Sequence, residues 1–162
     1  TLLYIPIVIP EIVLGISLLS IFTFTNIELS LITITLAHIT FCVPFVVLCV
    51  RSTLSSYDDQ IELAAMDLGA NKFKTLFYIT IPSLLPGIAS GALLAFSLSL
   101  DDVIISYFTA GPGSNTLPLK IFSMIKMGIT PEVNALTTII LLFTIIALSL
   151  FIIIQIKKNK KG

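Results

Sequence analysis

Three carboxylates and one imidazole stand inside the long apolar stretches of this sequence: Glu11, Asp101, Asp102 and His38. A carboxylate in such surroundings can meet a cation, relay a proton or hydrogen-bond a neighbouring helix, and no Lys or Arg lies within those stretches to neutralise it. An Asp at the centre of a membrane helix costs about 2.5–3.5 kcal/mol on insertion scales, so each acid is expected to face a polar cavity or an interface. For Asp101 and Asp102, a helix end with interhelix hydrogen bonds and contact with a passing cation both stay open. Glu11 follows Pro6 and Pro10, and its simplest role is to serve the backbone groups that prolines leave unpaired. His38 has no Cys, Asp or second His at ligand spacing, so a packing hydrogen bond is expected and a metal is not. Cys42 and Cys49, about 10 Å apart along a helix axis, lie beyond disulfide reach and read as packing residues. No nucleophile with a base stands out, nor a glycine-rich phosphate loop carrying Lys and Ser/Thr. No catalytic residue and no resident cofactor are therefore expected.

The elements that hold these residues follow from hydropathy. Of 162 residues, 56% are hydrophobic and 11% charged, with a mean hydropathy of +1.08. Soluble domains use about 25% charged residues, so this composition belongs to a membrane protein. Net charge is zero, which argues against a nucleic-acid partner. A hydrocarbon core about 30 Å thick needs roughly 20 apolar residues in a helix. Residues 2–24, 29–50, 84–108 and 133–156 qualify, and runs of that length exclude barrel strands. The expected fold is an all-α polytopic bundle with four membrane helices. Arg51, Lys72 and Lys74 lie in segment 51–83, and Lys157, Lys158, Lys160 and Lys161 in the tail. That bias places both on the cytoplasmic side and the loop 109–132, with Lys120 and Lys126, outside. In that loop Gly111 to Asn115 reads as a turn and 118–127 as a short interfacial helix, while Thr130, Pro131 and Glu132 look like a helix start. The chain begins within an apolar run, and a fragment of a longer protein is expected.

Between the second and third spans lies a polar-flecked island, residues 59–82. Asp59 is placed to cap a short helix, with Glu62 reaching back as in a capping box, and Ile61, Ala64, Ala65 and Leu68 on one face. Gly69 is expected to end that helix and Asn71 to start another, which carries Phe73, Leu76, Phe77 and Thr80 and stops at Pro82. Beyond it, Gly87, Gly91 and Ala95 form a small-residue row suited to close helix contact.

The run Leu63-Ala64-Ala65-Met66-Asp67-Leu68-Gly69, nine residues, then Ile79-Thr80-Ile81-Pro82 resembles the Glu-Ala-Ala-x3-Gly-x9-Ile-x-Leu-Pro signature of permease subunits of bacterial ABC importers. The Gly and Pro spacing matches. The signature's Glu falls on Leu63 and its Leu on Ile81, which leaves open whether Glu62 or Asp67 faces a partner. Segments 6–17, 95–102 and 111–118 further resemble the spermidine/putrescine branch of that family. The resemblance implies a six-helix permease of which this chain holds the last four helices. It implies a cytoplasmic ABC ATPase that binds ATP and seats on Glu62, Ala64, Ala65, Asp67, Gly69 and Pro82, a second homologous permease subunit, and an extracytoplasmic substrate-binding protein. It also implies a bacterial inner membrane location and polyamine substrates, with Glu11, Asp101 and Asp102 as pathway candidates. A permease for another solute, or an ion-coupled carrier or channel using the same acids, is the alternative.

Overall fold

The computed structural model describes residues 2–128 and 131–159, and every element in them is helical. A 3-10 turn, Leu2–Tyr4, leads into α1, Ile5–Val8, and α2 follows as Glu11–Phe24. The single helix expected over 2–24 is thus two pieces. Pro10 disfavours the helical region for the residue before it and has no N–H to give, and Ile9 is accordingly extended at φ −75°, ψ 131°.

Helix α3 runs Leu31–Ser55, beyond the expected 29–50, with Pro44 inside it. Its start is a reciprocal cap that the hydropathy pattern did not reveal. The Ile32 N–H donates to Ser30 Oγ at 3.2 Å, and the Ser30 N–H donates to Thr33 Oγ1 at 2.8 Å. Two short helices follow, α4, Gln60–Asp67, and α5, Lys72–Thr75. A single π turn, Leu76–Thr80, joins α5 to α6, Ile81–Asp101. Pro82 therefore begins a helix rather than ending one. It sits in the first turn of α6, where its missing N–H is tolerated, and the Ile81 N–H reaches Leu76 O through the wider π ring. From Lys72 to Asp101 the chain is one helical path of 30 residues.

The span expected over 84–108 is also divided. Asp102 is extended, at φ −64°, ψ 126°, and a separate helix α7, Ile104–Thr109, starts after it. Helix α8 is Leu117–Lys126 and α9 is Pro131–Asn159. Thr130, expected to cap α9, and the tail residues Lys160 and Lys161 lie outside the described residues. Among the described residues, Leu31–Ser55 and Lys72–Asp101 are long and apolar enough to cross a membrane, and Glu11–Phe24 is a shorter apolar helix.

The described chain divides into two units, one up to Leu119 and one from Lys120. In the first, α3 lies along α6 and α2 packs on α7. The close approach of α3 and α6 depends on two small residues: a Cβ at Gly91 would stand 3.1 Å from Val46 Cα, and one at Gly87 would run into the Thr53 hydroxyl. Leu14, Ala37, Phe41, Cys42 and Ile105 form the buried centre, with Ile9, Leu18, Phe45, Ala95 and Leu98 packed against it. Outside that centre large apolar side chains such as Val8, Phe24, Leu93 and Phe96 are exposed, the pattern of a surface meant for lipid or for another subunit.

Candidate functional site

Two polar constellations stand at opposite ends of α6. At its start is the hairpin of α4, α5 and the π turn. The first turn of α4 is served not by Asp59, whose backbone is helical and whose side chain caps nothing, but by Asp58, whose Oδ1 accepts from the Gln60 N–H at 3.0 Å. The capping box expected of Asp59 and Glu62 is absent because Glu62 is engaged elsewhere. Its Oε1 accepts from the Thr80 hydroxyl at 2.6 Å, across 18 residues of sequence. The C-terminus of α4 closes as a Schellman motif: the Gly69 N–H donates to Met66 O at 2.9 Å and the Ala70 N–H to Ala65 O at 3.0 Å. That geometry needs φ > 0 at Gly69, which has φ 91°. Asn71 then caps α5, its side chain accepting from the Lys74 N–H at 2.9 Å.

The hairpin presents an apolar outer surface. Leu68 is 90% exposed, Tyr78 80% and Phe73 75%, and Leu63 and Phe77 are exposed as well. Ala65 and Thr75 are buried inside it. Asp67 is exposed at the end of α4 while Glu62 is half-buried. The question of which carboxylate points outward is thereby resolved: Asp67 does, and Glu62 is turned onto Thr80. Ala64 and Pro82 are exposed.

At the far end of α6 the break at Asp102 is filled by a network drawn from three helices. Asp102 Oδ1 accepts from the Ile105 N–H at 3.1 Å and Oδ2 from the Ser106 N–H at 2.8 Å, so the carboxylate serves the first free donors of α7. His38, on α3, places Nε2 3.1 Å from Asp102 Oδ2 and 3.1 Å from Ser106 Oγ, and Nδ1 2.7 Å from Ser99 Oγ. The network is consistent with the neutral tautomer in which Nε2–H donates to the carboxylate and Ser99 donates to Nδ1. The Asp102 side chain is 3% exposed and that of His38 12%. Nearer the start of α3, the Thr33 hydroxyl, which takes part in the cap of that helix, donates to Thr109 O at 2.8 Å at the end of α7. His38 thus makes the packing hydrogen bonds expected of it, and of the two readings left open for Asp102 the structure shows the helix end with interhelix hydrogen bonds, to an imidazole and two amides.

The structure does not gather Glu11, Asp101 and Asp102 into one site. Asp101 is the last residue of α6 and exposed, whereas Asp102, its neighbour, is buried. Glu11 is the first residue of α2, also exposed, at the positive end of that helix's dipole. The cap made by Asp58, the bond of Thr80 to Glu62 and the pairing of His38 with Asp102 have no signal in the local sequence pattern. Thr80 itself stands out only as a hydroxyl in the apolar run Phe77-Tyr78-Ile79-Thr80-Ile81, and its partner is too distant in the chain for any local pattern to mark. No group of three or more metal-ligating side chains exists among the described residues.

Apolar helices of membrane-spanning length, a small-residue seam between two of them and an apolar-surfaced hairpin at the root of one are features of a helical membrane component. The family described as binding-protein-dependent transport system inner membrane component matches residues 1–158, and the chain belongs to it. Among curated relatives, it is 47% identical over 142 residues to the putrescine transport system permease protein PotI of Escherichia coli (strain K12) and 46% identical over 145 residues to the spermidine/putrescine transport system permease protein PotC of the same strain. It is 42% identical over 161 residues to the spermidine/putrescine transport system permease protein PotC of Haemophilus influenzae. These alignments cover 84%, 90% and 99% of this chain and 50%, 55% and 62% of the respective relatives. The chain spans between half and two thirds of the length of the curated relatives it matches.

Proposed function

We propose that this chain forms part of the membrane pathway of an ATP-driven importer for polyamines, with residues 59–82 as the element that a cytoplasmic ATPase grips. The observation that carries this reading is the hairpin itself. Its exposed surface is set with Leu63, Leu68, Phe73 and Tyr78, too apolar to be left to water, and its C-terminal arm is the start of an unbroken 30-residue helical path, Lys72–Asp101. A protein seated on that surface could pull on the helix directly. Four crossings, with hairpin and tail on the cytoplasmic side, fit the distribution of Lys and Arg. A second permease subunit and an extracytoplasmic binding protein complete the assembly, and exposed faces of α2 and α6 are available for lipid and for that second subunit.

The substrate class rests on the relatives, whose names specify putrescine and spermidine, and on the acids. Of these Asp101 is the better placed to meet an amine, because both oxygens of Asp102 are already engaged. Purification of the full-length protein with its neighbours tests the proposal: an ATPase should co-purify, and spermidine with its receptor should stimulate hydrolysis. Uptake that persists with every ATPase removed would instead make the protein an ion-coupled carrier.

A further inference from the structure

The two arms of the hairpin are joined, among the described residues, by a single side-chain hydrogen bond, that from the Thr80 hydroxyl to Glu62 Oε1 at 2.6 Å. The length is short for a bond between a hydroxyl and a carboxyl oxygen. Its position matters as much as its strength. Thr80 is the last residue of the π turn, and Glu62 lies in the first turn of α4. A π turn holds one more residue than an α turn, so its loss would rotate α5 by about 100° against α6. The backbone holds the turn through the Ile81 N–H on Leu76 O, the Thr80 hydroxyl has a second acceptor in Thr75 O at 3.4 Å, and Glu62 is the group that ties the turn to α4. The buried Tyr57 hydroxyl lies beside the pair, close enough to both Thr80 and Glu62 to interact with each.

We infer that Glu62 is a positioning residue: by holding Thr80 it locks the π turn, so that α4 and α6 move as one lever. The inference rests on the reading of the hairpin as the ATPase's handle and adds what makes the handle stiff. It also explains why the acid of this hairpin stands at 62 rather than at 63. Leu63 takes an outward, apolar position, and the carboxylate is turned inward where it can reach the root of α6.

The test uses the complete importer, with its ATPase and binding protein, reconstituted in liposomes, and reads substrate imported per ATP hydrolysed. Glu62→Ala leaves Thr80 its fallback acceptor, so the hairpin still folds. That variant and Thr80→Val should each lower the ratio by up to about tenfold, the upper scale of one net hydrogen bond. The double variant should fall no further than either single one, while Glu62→Gln and Thr80→Ser, which keep acceptor and donor, should stay within about threefold of the parent. An unchanged ratio in Glu62→Ala overturns the inference. So do single effects that multiply in the double variant, or uptake and hydrolysis that fall together at constant ratio. If the unaltered protein binds no ATPase, the handle itself is lost; if it binds one and the ratio is insensitive, only the lock is.

Discussion

The two ends of α6 solve opposite problems with similar side chains. At Asp102 the backbone leaves the helix in a buried position, and a chain of hydrogen bonds fills the break: two amides to the carboxylate, the carboxylate to His38, His38 to Ser99. At the hairpin the backbone is closed with equal care by Asp58, Gly69 and Asn71, but the side chains point outward and are apolar. The first end is finished within the chain, as a helix interruption in lipid must be, since an unsatisfied polar group there costs several kcal/mol. The second is finished only when something covers it. The first end is a joint of the scaffold, and the second, on the function proposed above, is the surface on which the ATPase sits.

Breaking each end should show this difference. Gly69→Pro has the largest expected effect: proline cannot take φ 91° and removes the N–H that meets Met66 O, so uptake should fall to background, with loss of ATPase pull-down as the check. Gly69→Ala meets no atom within 4 Å and should cost only the backbone strain of about 1–2 kcal/mol, with part of the uptake kept. Next, Asp102→Ala strips acceptors from His38 and two buried amides and should destabilise the protein in detergent by about 1–3 kcal/mol, measured by equilibrium unfolding. Asn71→Ala should cost about 1 kcal/mol, felt locally as faster amide exchange at Lys74. The smallest effect on stability is expected of Asp101→Asn, within about 0.5 kcal/mol for an exposed side chain, although polyamine uptake should drop. Stability lost in Asp101→Asn and kept in Asp102→Ala would reverse the roles assigned to the two acids.

Helical periodicity and turn chemistry made much of this legible. The stop at Gly69 and the restart at Asn71 are local events, governed by residues within one turn of each other, and both are found where the pattern puts them. Gly87 and Gly91 announced a close helix contact, and α3 supplies it. The errors share a different character. Asp59 was given a cap that Asp58 makes, a choice of one residue that backbone angles decide. Pro82 was read as a stop because proline removes a donor, yet the π turn before it absorbs that loss. The span expected over 84–108 runs straight through Asp102 because hydropathy does not register an interruption whose polar groups bond one another.

From its sequence alone this protein could be assigned helices of membrane length, a charge bias that orients them, and a glycine-hinged hairpin with a family signature, because each depends on neighbours in the chain or on composition. Only the folded chain decided that Glu62 binds Thr80 rather than its own helix, that Asp67 is the outward acid, and that two adjacent aspartates have opposite environments. Those outcomes depend on groups 18 to 64 residues apart competing for the same donors, and which of them wins is settled by distance in space.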